Sequence, residues 1–192
     1  MPLSEEDAVD IRGSLAGDAD AYRRLVDRYE ADVGRLMWRF SRDRRVWEEL
    51  VQDVFVETYR SLAHFRGEAA FRTWLSRIAT RVGYRHWKRQ RRDQQFVPFE
   101  PEMPEAAVEA EPAAGPSPQA AAAMVHRLLE QLPPRDRLVL TLMYMEEMDV
   151  AGIAERTGWS RTMVKVQAHR ARTKLRKIVE QSELREELTW IH

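Results

Sequence analysis

Two short stretches of this sequence are strongly basic, and basic side chains bind phosphate. The first spans residues 81–92 and contains six basic residues and no acid. Five of them follow the i, i+4, i+7, i+8, i+11 spacing of one helix face: Arg81, Arg85, Lys88, Arg89 and Arg92. Tyr84 and Trp87 lie beside this stripe. Cations interleaved with aromatic rings can hold phosphates and stack unpaired bases. The competing interpretation is that this stripe is a solvated helix face.

The second stretch, residues 161–177, contains seven basic residues and no acid. A short helix precedes it, with Asp149 as a predicted N-cap and Gly158 as a predicted C-cap, and Ser160 then caps the basic helix. Helix, glycine turn and helix form the outline of a helix-turn-helix, whose second helix enters the major groove. An ordinary amphipathic basic helix is the alternative. The side chains expected at DNA are Arg161, Thr162, Lys165, Val166, Gln167, His169, Arg170 and Lys174.

Catalytic chemistry finds little support in the sequence. There is no cysteine, the five histidines show no metal-ligand spacing, and no glycine-rich phosphate loop occurs. We therefore expect no enzymatic activity, no metal and no cofactor.

The elements that position the basic stretches are predicted from apolar residues spaced three and four apart. This spacing predicts helices over residues 22–40, 46–62 and 71–82, with Gly67 in a turn, and then over residues 125–132, 135–145, 149–158 and 161–179. No alternating strand pattern competes. The predicted fold is all-α, with two helical domains of which the second is a helix-turn-helix domain.

A proline- and glutamate-rich linker separates the domains. Six of the nine prolines fall between residues 98 and 118, and residues 98–124 carry five glutamates and no basic residue. We predict a domain over residues 1–97, a flexible acidic linker over 98–123, and a second domain over 124–192. The three segments 1–97, 98–124 and 125–192 carry net charges of +3, −5 and +2, so the overall charge of zero conceals two basic helices. The acidic start and the lack of a long apolar run predict a cytoplasmic protein without a signal peptide or membrane insertion.

Two segments together resemble a known family. The sequence FRGEAAFRTWLSRIA at residues 65–79, preceded by ELVQDVF at 49–55, resembles region 2 of bacterial sigma factors of the extracytoplasmic-function (ECF) group. LPPRDR at 132–137, followed by IAE at 153–155 and VKVQAHRARTKL at 164–175, resembles their region 4. Order and spacing fit as well, over roughly residues 18–92 and 124–178.

The resemblance implies a protein that binds core RNA polymerase and directs it to promoter DNA. A helix carrying Glu49, Gln52, Asp53 and Phe55 resembles the surface that docks on the clamp helices of the largest catalytic subunit. The helix-turn-helix is expected to read the minus-thirty-five element, and an anti-sigma factor is an expected partner. The residues expected to capture and open the minus-ten element are Phe65, Arg66, Phe71, Trp74, Arg77, Arg81, Tyr84, Arg85, Lys88 and Arg89.

The sequence departs from the family pattern where DNA is read. Arg81 replaces an asparagine that can take part in minus-ten base choice. Val166 and Gln167 replace a polar and basic pair, and we expect them to contact a thymine methyl group and an adenine edge. A divergent minus-thirty-five preference follows.

Two other functions remain open at this point. A helix-turn-helix regulator acting without polymerase would bind the duplex alone, but it leaves the Trp74 segment unexplained. A protein-interaction adaptor without DNA reading would not need seven basic residues on its last helix.

Overall fold

Eight α-helices form the part of the chain that the computed structural model describes, residues 3–96 and 118–181, and no strand occurs there. None of these eight combines the length and apolarity needed to cross a membrane. The predicted all-α class is confirmed. The helices are α1 (Glu5–Leu15), α2 (Ala19–Met37), α3 (Arg44–Ser61), α4 (Phe71–Phe96), α5 (Pro118–Glu130), α6 (Pro134–Leu140), α7 (Val150–Thr157) and α8 (Arg161–Gln181).

Helix α1 is an element that apolar spacing did not predict. It packs on α2 mainly through charge, because its Asp7 and Asp10 are buried and accept hydrogen bonds from α2. Arg28 contacts both carboxylates, at 2.6 and 2.7 Å, and Arg24 reaches Asp10 at 2.7 Å. Burial alone would raise the pKa of Asp10, but the two guanidinium groups outweigh it and hold that pKa below its usual value.

The core of the N-terminal domain lies between α2, α3 and α4, whose apolar stripes meet as predicted. At its centre, the ring of Phe40 lies against the backbone of Gly83 on α4. A Cβ atom at position 83 would approach that ring to 2.3 Å, so glycine allows α4 to lie this close. The core therefore fixes where α4 carries its basic face.

The helix that precedes the helix-turn-helix extends into the segment predicted as linker. Helix α5 starts at Pro118, so residues 118–123 are helical although we assigned them to the linker. The run of alanines there favours a helix. Linker residues 98–117 lie outside the described residues.

The helix-turn-helix has the predicted caps. Asp149 accepts from the backbone N–H of Gly152 at 2.7 Å, Ser160 accepts from that of Met163 at 3.1 Å, and Gly158 is left-handed with φ of 75°. The helix predicted over 135–145 instead ends at Leu140 and continues as a π-helical turn, Thr141–Met145. These caps fix the path of the chain into α8.

The two domains touch along α4, which packs against α6 and α7. Arg137 of α6 stacks on the ring of Trp87 of α4 with its guanidinium carbon 4.0 Å from the ring centre. Arg39, just after α2, donates to Glu146 at 3.0 Å and to the carbonyl of Met145 at 3.1 Å. The structure is therefore a closed arrangement of the two domains.

Candidate nucleic-acid interface

An aromatic cluster forms where the loop before α4 meets that helix. The rings of Phe65, Phe71 and Trp74 have centres 5.1 to 5.7 Å apart, and Tyr29 of α2 joins them at 5.4 Å from Phe71. Phe71 is buried, so it supports the other rings rather than meeting a ligand. Phe65 and Trp74 are half-buried and Arg66 is exposed, so these three remain accessible to a ligand.

The basic face of α4 is held in place by one acid of α3. Glu57 contacts Arg81 at 3.5 Å and Arg85 at 3.3 Å. Lys88 lies over the ring of Tyr84, with its Nζ 5.8 Å from the ring centre, while Arg89 is exposed. The predicted basic stripe therefore exists, but carboxylate contacts already reduce part of its charge.

Two residues predicted to meet minus-ten DNA contact the C-terminal domain in this structure. Arg77 donates to Glu155 of α7 at 2.7 Å, and Tyr84 meets the ring of Trp159 edge-on at 6.4 Å. The Nε of Arg77 is buried and has no hydrogen-bond partner within the described part of the chain. A cleft of about 440 Å³ lies between the domains here. The closed arrangement thus covers one edge of the candidate DNA surface.

Trp87 is unavailable for base stacking, contrary to the aromatic interleaving expected from sequence. It is 2% exposed, because Arg137 covers one side and Phe40 packs nearby with ring centres 4.5 Å apart. Its Nε1 donates to the carbonyl of Phe40 at 2.7 Å. Burial lowers the pKa of Arg137 to about 10, so it is still charged at neutral pH. Spacing along α4 could not reveal this because the cover comes from α6.

The first turns of α8 present a surface of mixed chemistry. Val166 is 46% exposed, so its apolar side chain is accessible to a ligand. Buried Val164, Ala168 and Ala171 hold the opposite face against the domain. The other exposed side chains on these turns are Arg161, Thr162, Lys165, His169 and Arg170.

Gln167 and Lys174 were expected at DNA but bind an acid of their own domain. The side-chain amide of Gln167 donates to Asp136 of α6, and the ammonium of Lys174 reaches the same carboxylate at 2.6 Å. Asp136 is 1% exposed. The structure therefore directs both side chains toward α6.

The residues expected to meet polymerase lie along α3. Glu49, Gln52 and Asp53 are exposed, and Phe55 is half-buried, with its backbone carbonyl accepting from the hydroxyl of Tyr22 at 2.6 Å. Three polar side chains and the edge of a ring are thus available on one helix surface.

Sequence reasoning missed the acids that bind the basic helices. Glu57, Asp136 and Glu155 are 24 to 78 residues from the cations that they contact. No local spacing marks such pairs.

Comparison with known proteins places both surfaces in matched regions. Residues 25–93 match the family model described as Sigma-70 region 2, and residues 122–175 match that described as Sigma-70, region 4. The RNA polymerase sigma-H factor of Pseudomonas aeruginosa is 32% identical over 168 residues, covering 80% of this chain and 83% of that protein. The ECF RNA polymerase sigma-E factor of Haemophilus influenzae is 46% identical over 63 residues, 33% of each chain.

A solved structure has the same fold. The sigma factor RpoE of Bartonella quintana, crystallised in complex with the anti-sigma factor NepR, gives a TM-score of 0.56 with 18% identity. The match covers 84% of this chain and 98% of that one.

Proposed function

This chain belongs to the sigma-70 family of RNA polymerase sigma factors, in the ECF group, and we propose how its surfaces divide the work of promoter recognition and initiation. The observation that carries the proposal is that one chain presents two separate basic helices, α4 beside an aromatic cluster and α8 within a helix-turn-helix. Each helix falls in a region that matches the family.

The N-terminal domain captures and opens the minus-ten element. Phe65 and Trp74 offer half-buried rings on which an extracted base can stack, and Arg66 beside them is exposed to bind phosphate. Extracting a base costs a few kcal/mol of lost stacking, which such contacts offset. Along α4, Arg81, Arg85, Lys88 and Arg89 hold the backbone of the separated strand. Phe71 acts indirectly, by fixing the rings around it.

The C-terminal domain reads the minus-thirty-five element as duplex DNA. The N-terminal turns of α8 enter the major groove, where Val166 meets apolar base edges and Lys165 meets acceptors. Arg161, Thr162, His169 and Arg170 bind the flanking backbone or base edges.

Core polymerase binds α3. The exposed side chains of Glu49, Gln52 and Asp53, with the edge of Phe55, provide a polar surface with an apolar margin for the clamp helices of the largest subunit. The chemistry of transcription belongs to polymerase, so this chain is a regulatory and not a catalytic subunit. It acts in the cytoplasm, associated with the nucleoid when in holoenzyme.

The closed arrangement must open for initiation. The two promoter elements are about two helical turns apart, roughly 70 Å at about 35 Å per turn. Helices α4 and α7 are in contact, and Arg77 and Tyr84 are engaged by Glu155 and Trp159. Both elements therefore cannot be bound until α7 leaves α4. An anti-sigma factor, such as the NepR bound to the Bartonella relative, is the expected partner that would hold the protein inactive.

Transcription reconstituted with core polymerase tests these assignments separately. The template is a promoter selected by the wild-type holoenzyme from random DNA, used as a duplex and with the minus-ten region already melted. Arg66→Gln and Trp74→Ala should each reduce initiation on the duplex more than tenfold. On the melted template, initiation by both variants should return to the wild-type level. Asp53→Arg should abolish initiation on both templates, while the exposed Arg12→Gln serves as the control.

Three results would contradict the proposal. Equal loss for Arg66→Gln on both templates would remove the melting role from this loop. Normal initiation by Asp53→Arg would remove the docking role from α3. Sequence-specific duplex binding without polymerase, with no initiation in its presence, would instead indicate a conventional helix-turn-helix regulator.

A further inference from the structure

Asp136 is a buried carboxylate that binds two side chains of the recognition helix. It lies in the first turn of α6 and accepts from the amide of Gln167 and from the ammonium of Lys174. A buried carboxylate is costly to leave unpaired, so the fold strongly favours keeping both donors in place.

The two donors lie on one flank of α8. They are seven residues apart, close to two helical turns, and buried Ala171 lies between them in sequence. On the other flank, Arg172 donates to the hydroxyl of Tyr144 at 3.2 Å. Contacts to α6 and to the turn after it therefore hold α8 from both sides and determine which side chains face outward.

These contacts change what Gln167 and Lys174 can do. Reading adenine by an amide requires its N–H and its carbonyl to face the base together, and here the hydrogen bond to Asp136 directs the amide nitrogen of Gln167 toward α6. Lys174 forms an ion pair at 2.6 Å, so moving it to a DNA phosphate would leave Asp136 without its cation. Neither side chain is free to join DNA at no cost.

We infer that Asp136 is a positioning residue for minus-thirty-five recognition: it retains Gln167 and Lys174 within the domain and leaves the DNA surface to the exposed side chains of the first turns of α8, among them Lys165 and Arg170. This inference rests on the proposed role of α8 in reading duplex DNA. It gives the acid a function in promoter recognition without any contact to DNA.

The salt dependence of promoter binding tests the inference. Each phosphate neutralised by a protein cation contributes about 0.9 to the slope of log K against log salt concentration. Holoenzymes are titrated on the wild-type-selected promoter duplex over a range of KCl concentrations. The variants are Lys174→Gln, Arg170→Gln, Asp136→Asn and the double variant Asp136→Asn with Lys174→Gln, each checked for folding by thermal unfolding.

The expected changes in the magnitude of the slope differ in sign. Lys174→Gln should leave the slope unchanged, and Arg170→Gln should lower its magnitude by about 0.9. Asp136→Asn should raise it by about 0.9, because Lys174 is released to bind phosphate, and the double variant should return it to the wild-type value. The rise corresponds to about a twofold greater loss of affinity for each doubling of salt.

Each opposite result has a distinct meaning. If Lys174→Gln lowers the slope as Arg170→Gln does, Lys174 contacts DNA and the inference is wrong. If Asp136→Asn lowers thermal stability with no change in slope, Asp136 is merely structural and the inference is again wrong. If Arg170→Gln has no effect on the slope, the proposed docking of α8 fails.

Promoter selection gives a second readout that a structural role would not move. Holoenzymes carrying Gln167→Met or Val166→Ala select minus-thirty-five sequences from a randomised library. We expect Gln167→Met to recover the wild-type sequence and Val166→Ala to change the base selected at one position. A changed preference with Gln167→Met would overturn the inference.

Discussion

Replacing Arg137 by glutamine should open the two domains of the free protein. The guanidinium of Arg137 lies 4.0 Å from the centre of the Trp87 ring, and the two side chains are 5% and 2% exposed. A cation stacked on tryptophan away from water contributes about 2 kcal/mol. Glutamine retains a polar group for Glu130 and His126 of its own domain, so the loss falls on the contact between domains.

The magnitude follows from what the substitution leaves intact. Among the described residues, the ion pairs between the domains are Arg77 with Glu155 and Arg39 with Glu146, and such partly exposed pairs contribute about 0.5 kcal/mol each. The contact of Arg137 with Trp87 therefore contributes more than either of these ion pairs. Losing about 2 kcal/mol should raise the ratio of open to closed molecules about 30-fold.

Single-molecule energy transfer measures that ratio directly. The chain has no cysteine, so dyes can be attached at Asp27→Cys of α2 and Glu180→Cys of α8, both exposed positions. Arg127→Gln, an exposed arginine of α5, is the matched control and should leave the ratio unchanged. Equal open fractions for Arg137→Gln and wild type, with both proteins folded, would refute this account of the interface.

Three further predictions concern the framework of the site. Asp10→Asn should remove a pH-dependent part of the stability. In the wild-type protein this part is present above the unfolded-state pKa of about 3.8 and is lost as pH falls through the lower folded-state pKa. Denaturant unfolding from pH 6 to pH 2 should therefore show a free energy of unfolding that varies less with pH in the variant. Gly83→Ala should cost about 2 kcal/mol because its methyl group would overlap the ring of Phe40, and an increase in melting temperature would contradict this. Gly158→Ala should cost about 1 kcal/mol through its left-handed φ of 75° alone, because nothing lies within 4 Å of the added methyl group. The melting temperature should therefore fall further for Gly83→Ala than for Gly158→Ala. Equal decreases would contradict the assignment of the first to overlap with a ring and of the second to backbone strain.

Sequence periodicity was sufficient where apolar side chains alone determine the packing. The stripes of α2, α3 and α4 and the caps at Asp149, Gly158 and Ser160 were all predictable from local spacing. Helix α1 was not, because it is held by buried carboxylates paired with arginines rather than by an apolar stripe. A search for apolar residues at helical spacing assigns such aspartates to the exposed face.

The candidate site was predictable in its helices but not in its individual side chains. A residue's position on a helix tells which face it occupies, whereas its availability depends on distant partners. Trp87 has the spacing of an exposed aromatic residue, yet Arg137 of another domain covers it. Gln167 lies on a helix expected to read DNA, yet Asp136 holds its amide.

The distant acids also explain why the two basic helices coexist with a net charge of zero. Glu57 contacts two arginines of α4, Glu155 contacts a third, and Asp136 contacts a lysine of α8. Cations held in this way give less non-specific attraction to duplex DNA than their number suggests, because phosphate must compete with a carboxylate that is already in place. The contact between Arg77 and Glu155 is lost when the domains separate, whereas Glu57 and Asp136 stay beside their partners within one domain. Opening the domains should therefore increase the positive charge of the proposed minus-ten surface, at the step when our proposal requires that surface to hold the separated strand.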